Sequence, residues 1–556
     1  MGLQRLQTLD YIVFLVYFCI VAGYGYWIYH KKKSKEASTT DFFLAEGSLT
    51  WWAIGASLIA SNISAEQFIG MSGSGFKMGL AISTYEWMAA ATLMIVAIFF
   101  MPIYLKNRIF TMPQFLTQRY NETVSMIMAI FWLLLYVIVN LTSILYLGAL
   151  AVSTISGLNF WLCMVCLAIF AIIITLGGMK VIGYTDVIQV FFLIMGGLAT
   201  TYLALNLVSE QFGETGVLTG FNYMMRKAPE HFHMIFNEEN PNYMDLPGLT
   251  ILIGGMWIVN LNYWGCNQYI TQRALGADLP TARNGILFAA FLKLLMPIIV
   301  VFPGIAAMVL HQEGMFQAEM LTGGELNPDN AYPVLLNLLP VGLKGLSFAA
   351  LTAAIVASLA GKANSISTIY TLDIYKKYIN RDANEQKQVN VGRYAVLVSM
   401  IVAVAISDSL GIDKKGGFQF IQEYTGFVSP GIFAVFLLGF FWKKANSKGA
   451  LASIIGGFIL SIILKFLPTW GVDLSSLSDA GFAVINTESG LYEIPFLDRM
   501  GFVFIFCVLM IILLADRQNS PKGLEIDASM FRPHPSFTVG AMIVIGVIVA
   551  LYTVFW

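Results

Sequence analysis

The 556-residue chain is 57% hydrophobic and only 12% charged, with a mean hydropathy of +0.72 and a formal net charge of -1. A soluble protein of this length carries about 25% charged residues. The composition therefore excludes a soluble globular protein, offers nothing to attract nucleic acid, and describes a polytopic membrane protein.

The first apolar run, Tyr11 to Tyr29, leads into a basic cluster at Lys31, Lys32, Lys33 and Lys35. It is too long for the core of a cleavable signal and lacks a small-residue cleavage site, so it reads as a retained helix. A spanning helix needs about 20 apolar residues. Fourteen segments meet that need: 9–30, 49–75, 80–104, 123–154, 159–178, 184–208, 248–272, 284–311, 342–377, 391–409, 417–442, 448–468, 497–516 and 536–556. All five cysteines, Cys19, Cys163, Cys166, Cys266 and Cys507, lie in or beside apolar stretches, so no disulfide framework is expected.

With the N-terminus outside, 21 of the 32 Lys and Arg residues fall at inside ends and loops and nine at outside ones. That bias follows the positive-inside rule with both termini outside. Lys293 and Lys362 remain within spans, where a cation is a functional hypothesis by default.

The second segment carries Ser61, Asn62, Ser64, Glu66 and Gln67 in its middle. A lipid-facing helix cannot hold that cluster, because each bare polar group in hydrocarbon costs several kcal/mol. The seventh segment repeats the theme with Gly254, Gly255, Asn260, Asn262 and Asn267. Paired interrupted helices are the mark of a transporter site between two repeats. The chain divides as 1–48, a peripheral first helix and cytoplasmic loop; 49–208, a first repeat; 209–247, an external loop; 248–442, a second, inverted repeat; and 443–556, peripheral C-terminal helices.

The run Thr40-Asp-Phe-Phe-Leu-Ala-Glu-Gly-Ser-Leu-Thr-Trp-Trp-Ala-Ile-Gly-Ala-Ser-Leu-Ile-Ala60 resembles the sodium/solute symporter family. Asn62-Ile-Ser-Ala-Glu-Gln-Phe-Ile-Gly-Met-Ser-Gly-Ser-Gly75 narrows the likeness to its sodium/glucose cotransporter branch, bacterial sodium/galactose symporters included. Tyr85-Glu-Trp-Met88, Phe131-Trp132 with Asn140-Leu-Thr142, Tyr184-Thr-Asp-Val-Ile-Gln189 and Gln422-Glu-Tyr-Thr-Gly426 do the same, and the likeness runs from about Asp41 to Trp556. It implies an all-α fold of fourteen transmembrane helices with a five-plus-five inverted-repeat core.

A hexose presents hydroxyls and one apolar ring face, so its site needs carboxamides, a carboxylate, a cationic donor and an aromatic platform. By resemblance, Gln67, Glu86, Asn260, Lys293 and Gln422 are sugar hydrogen-bond partners, with Asn62 and Trp264 beside them. Tyr263 is implied as the inner gate, and Met71, Tyr85 and Phe418 as the outer gate. From residue chemistry alone, Glu86 and Lys293 read equally as a structural ion pair. Ala89 stands where the branch has a serine that contacts sugar.

The implied sodium ligands are carbonyls of Ala60, Ile63 and Ala354 and the hydroxyl of Ser358. Ala357 stands where the family has a second hydroxyl, a departure that should weaken sodium binding. Ala354, Ser358 and Lys362 share one helical face at i, i+4 and i+8. Lys362 reads as a solvated vestibule charge or as a cation standing in for sodium, with Asp186 as its expected carboxylate partner.

The expectation is a sodium-coupled symporter of galactose or glucose in a bacterial inner membrane. It is no enzyme, has no organic cofactor, and has lipid and a small sugar as partners. The alternatives are a sodium-independent sugar carrier with Lys362 as its fixed cation, or a sugar-gated sensor or channel. His231-Phe-His233 has metal-binding spacing but reads as an ordinary outer loop.

Overall fold

A computed structural model describes residues 6–31, 49–109, 111–176, 178–322, 324–407, 417–486 and 489–556, without the side chains of 28–31 and 178–184. Arg5, Lys32, Lys33, Lys35, Lys414, Lys415 and the start of the 40–60 motif lie outside those residues, as do the side chains of His30, Lys31, Lys180 and Tyr184.

The described chain is mostly helical, with two short antiparallel ladders pairing Leu321–Thr322 with Glu325–Leu326 and Val484–Ile485 with Tyr492–Glu493. Each predicted apolar segment contains helix. Among the described residues, ten helices are long and apolar enough to cross a membrane. There are eleven if Gly417–Gly426 and Ser429–Phe441, bent by 52°, make one span. Phe160–Thr175 is apolar but shorter, and interrupted helices fall below that length in their separate halves. The stretch Glu66–Lys106 is turned at Gly79, whose φ of +73° suits glycine and whose missing side chain admits the His231 carbonyl.

The first interrupted helix runs Trp51–Asn62, opens at Ile63 into extended backbone, and restarts as a π turn, Glu66–Met71, followed by Ser72–Met78. The restart is written in the sequence Ser-x-x-Gln. Ser64 Oγ accepts from the Glu66 N–H at 3.2 Å, and Gln67 Oε1 accepts from the Ser64 N–H at 3.2 Å, the reciprocal bonds of a capping box. The second interruption separates Gly255–Gly265 from Gln268–Leu275. Tyr136, in the π turn Leu135–Leu141, closes that gap: its hydroxyl donates to Asn267 Oδ1 and accepts from the Gln268 N–H.

The Leu279–Gln312 helix lies along both halves of the first interrupted helix. Small residues permit the approach. A Cβ on Gly55 would meet the Gly285 carbonyl at 2.7 Å, one on Gly75 the Val301 carbonyl at 2.8 Å, and one on Gly304 would collide with the Ser72 carbonyl. Leu343–Thr368 is the most enclosed long helix, and Thr8–Lys31 packs on it. Asp10 of that first helix accepts from the Gly342 N–H at 2.7 Å and the Gly345 N–H at 3.0 Å, capping the start of Leu343–Thr368.

Several charges counted above as loop cations are buried. Arg119 donates to the carbonyls of Gly439, Trp442 and Ala445 and so caps the end of Ser429–Phe441. Arg283 holds the carbonyls of Ala97, Met530 and Arg532. Arg273 and Arg499 sit in ion pairs.

Candidate functional site

A cavity lies between the two interrupted helices. Gln67, Glu86, Asn260, Lys293 and Gln422 all line it, with Asn62 and Ala89 in the same wall. Trp264 and Tyr263 supply aromatic surface, their ring centroids 5.1 Å apart and tilted by 74°. Asn267, read from the sequence as part of the second interruption, also lines the cavity, as do Asn140 and Thr425 of the quoted motifs; Tyr269 and Ile421 line it too and were not singled out from sequence.

Lys293 Nζ donates to Glu86 Oε2 at 2.5 Å and to Asn62 Oδ1. Asn62 Nδ2 in turn donates to the Tyr263 hydroxyl at 3.0 Å. This chain joins the first interrupted helix, Thr84–Ile95, Leu279–Gln312 and the second interrupted helix into one polar network. Lys293 also lies 5.2 Å from the centre of the Trp264 ring. The cavity thus presents carboxamides, a carboxylate, an ammonium and aromatic faces, the donor and acceptor set that a polyhydroxylated ring needs.

Tyr85 and Phe418 line the cavity and meet edge to face at 5.0 Å; Met71 is buried but is not part of the cavity's lining. Gly70 lets the Phe418 backbone come close, since a Cβ there would stand 2.7 Å from the Phe418 nitrogen.

At the first helix break, Ser358 Oγ donates to the Ser61 carbonyl at 3.2 Å. Ala60 and Ile63 flank the break, and Ala354 lies one helical turn before Ser358. The donor set thus offers backbone carbonyls and one hydroxyl, while Ala357 brings only a methyl group. The expected Lys362–Asp186 pair does not form. Lys362 Nζ instead donates to Glu66 Oε1 at 3.2 Å, and its ammonium stands 5.0 Å from the centre of the Tyr269 ring. Asp186 is taken by other groups: Ser57 Oγ donates to it at 2.5 Å and Arg273 Nη2 lies 3.9 Å away. Arg273 also donates to the Ser57 carbonyl and hydroxyl. Its guanidinium reaches there because Gly361 has no side chain, a Cβ at that position falling 2.6 Å from Nη2. Lys362 is buried and is therefore not a solvated vestibule charge.

His231 Nε2 lies 3.2 Å from the Phe76 carbonyl, and burial holds its imidazole below its usual pKa. His233 is 3.3 Å from the Trp556 carbonyl, and among the described residues no group of three His, Cys, Asp or Glu side chains could hold a metal.

The sodium:solute symporter family profile matches residues 42–457. The chain belongs to the sodium:solute symporter family. A sodium/glucose cotransporter of Vibrio parahaemolyticus is 46% identical to this symporter over 99% of both chains. The human sodium/myo-inositol cotransporter 2 is 33% identical across 83% of this chain and 70% of its own. The solved structure of a Na+-coupled sialic acid symporter, captured substrate-bound and outward-open, shares its fold with a TM-score of 0.74 at 20% identity, covering 92% of this chain and all of that one. The symporter is a multi-pass membrane protein of a transporter family, and its coupling ion is cargo.

Proposed function

We propose that this symporter carries a monosaccharide, galactose or glucose, into a bacterial cell with sodium, by alternating access. Fourteen crossings place both termini outside, and residues 49–208 and 248–442 form the two inverted repeats. The observation that carries the sugar reading is the cavity where Glu86, Lys293, Asn62 and Tyr263 form one hydrogen-bonded chain beside Gln67, Asn260 and Gln422. Trp264 and Tyr263 offer the ring face a platform, and Tyr263 is the proposed inner gate, opposite Met71, Tyr85 and Phe418. The full-length likeness to a sodium/glucose cotransporter supports glucose or galactose, and myo-inositol relatives make cyclic polyols the next class to test.

Sodium would bind at the first break, between the carbonyls of Ala60, Ile63 and Ala354 and the Ser358 hydroxyl. A second reading has its own observation. Lys362 brings an ammonium to Glu66 three residues past Ile63, and Ala357 withholds an oxygen. In that reading the ammonium is the resident cation and transport is independent of sodium, with Glu66 rather than Asp186 as its partner.

Radiolabelled galactose or glucose uptake into proteoliposomes, with sodium and choline exchanged outside at clamped potential, separates the two. Accumulation above equilibrium only under an inward sodium gradient supports the symporter. Equal, non-accumulating uptake in both salts supports the sodium-independent carrier. No uptake of either sugar or of myo-inositol in any salt overturns the sugar reading.

A further inference from the structure

The motif Tyr184-Thr-Asp-Val-Ile-Gln189 ends in a side chain that the central cavity does not use. Gln189, in the helix Gly178–Gln211, is 1% exposed, and its Oε1 has no hydrogen-bond partner. A buried carbonyl oxygen left unmet is costly unless a donor reaches it.

Gln189 lines a groove that shares no wall residue with the central cavity. The groove runs between Thr8–Lys31, Phe160–Thr175, Gly178–Gln211 and Leu343–Thr368. The sequence accounts for it. Leu15, Phe18, Ala22 and Gly25 recur at three- and four-residue steps on one face of the first helix, and their side chains shrink along it. Ala22 and Gly25, with Ala353 of Leu343–Thr368, leave space that larger side chains would fill.

The wall decides the occupant. Among its described residues none is charged, so nothing there holds a phosphate or an ammonium head. Thr185 and Gln189 are its buried polar residues. An acyl chain would fill the space and leave Gln189 Oε1 without a donor. A quinone carbonyl, which only accepts, would do the same. An apolar body with one hydroxyl meets both needs. Phe18 and Phe170, ring centroids 5.4 Å apart, stand in the same wall as the small residues Ala22 and Gly25, which suits a flat molecule. A rigid ring system also loses less rotational freedom on binding than an acyl chain does.

We infer that this groove is an intramembrane binding site for a polycyclic isoprenoid alcohol, a sterol- or hopanoid-type lipid whose hydroxyl donates to Gln189 Oε1. Ala353 and Val356 of its wall belong to the helix that carries Ala354 and Ser358, so the bound lipid braces the helix of the proposed ion site.

Photolabelling of the full chain in phosphatidylcholine nanodiscs tests it, with a diazirine analogue of cholesterol that keeps the hydroxyl as the probe. Peptide mass spectrometry should find the label on the first helix and on Phe160–Thr175. Cholesterol should displace it at a concentration roughly three- to tenfold lower than cholestane, the same ring system without the hydroxyl, as one hydrogen bond allows. Gln189→Leu should erase that difference. Gly25→Leu should fill the groove and block the label, and it decides the matter if Gln189→Leu does not fold. Label scattered over all lipid-facing helices, or displaced equally by cholesterol and cholestane in wild-type protein, marks ordinary lipid contact and overturns the site. Label absent from the groove, as when a phospholipid chain or a second copy of this chain fills it, or label unchanged in Gly25→Leu, overturns it as well.

Discussion

Lys293 is buried and has two partners, Glu86 and Asn62, in the wall of the cavity. Removing one member of a buried pair leaves an uncompensated charge and costs about 3–5 kcal/mol. Lys293→Met should therefore lower the melting temperature sharply in detergent, and Glu86→Gln with Lys293→Met should recover much of it. Neither variant should take up sugar. If the double variant melts no higher than the single, charge burial is not what Lys293→Met disturbs. Asp329 titrates in a different setting, in the loop outside the spans. Its Oδ2 accepts from the Gly417 N–H at 2.9 Å, yet burial wins and pushes its pKa up to about 7. An unfolded aspartate titrates near ~4, so between these values the native state holds the proton more tightly. That contribution to stability is complete below the unfolded pKa and fades as pH rises through about 7. Wild-type protein should melt lower at pH 8 than at pH 6, and Asp329→Asn should flatten that difference. An unchanged slope in the variant would locate the titration elsewhere.

Among the helices, close approach is decided by where side chains are missing. Gly304 faces the Ser72 carbonyl with no room for a Cβ, whereas Gly546 has nothing within 4 Å. Overpacking a tight contact costs about 1–3 kcal/mol, so Gly304→Val should cut the yield of monodisperse protein while Gly546→Val leaves it unchanged. Equal yields would mean that the Leu279–Gln312 helix can shift aside. The interruption at Ser64 was legible through a polar cluster that lipid does not tolerate; the mutual capping of Ser64 and Gln67, equally local, was not read from the sequence. The cavity residues were legible through motif likeness, one by one. Ion-pair partners were not, because they depend on which helix faces meet. Asp186 looked available to Lys362 until Arg273, read as a loop cation, filled its place. Arg119 misled in the same way, since a guanidinium that caps a distant helix end has the same sequence surroundings as one in water.

For the whole transporter, Ala357 and Lys362 bear on which cation accompanies the proposed sugar. Ala357→Ser with Lys362→Met restores an oxygen and removes the ammonium from Glu66. If Lys362 is the resident cation, uptake should change from equal in sodium and choline to at least about tenfold dependent on sodium, a difference of ~1.4 kcal/mol in ion preference. Flux in both salts, side by side for the two proteins, is the measurement; wild-type uptake already driven by sodium would remove that role from Lys362. The bond between Asp10 and the Gly342 N–H has a consequence in time. Its two ends are 332 residues apart in the chain. At about 5–20 residues per second, a ribosome needs roughly 17–66 s to pass from one to the other. Through that interval the first helix waits in the bilayer without the helix start it caps, so its early orientation is set by the insertion machinery and lipid, and is locked only when the later helix arrives.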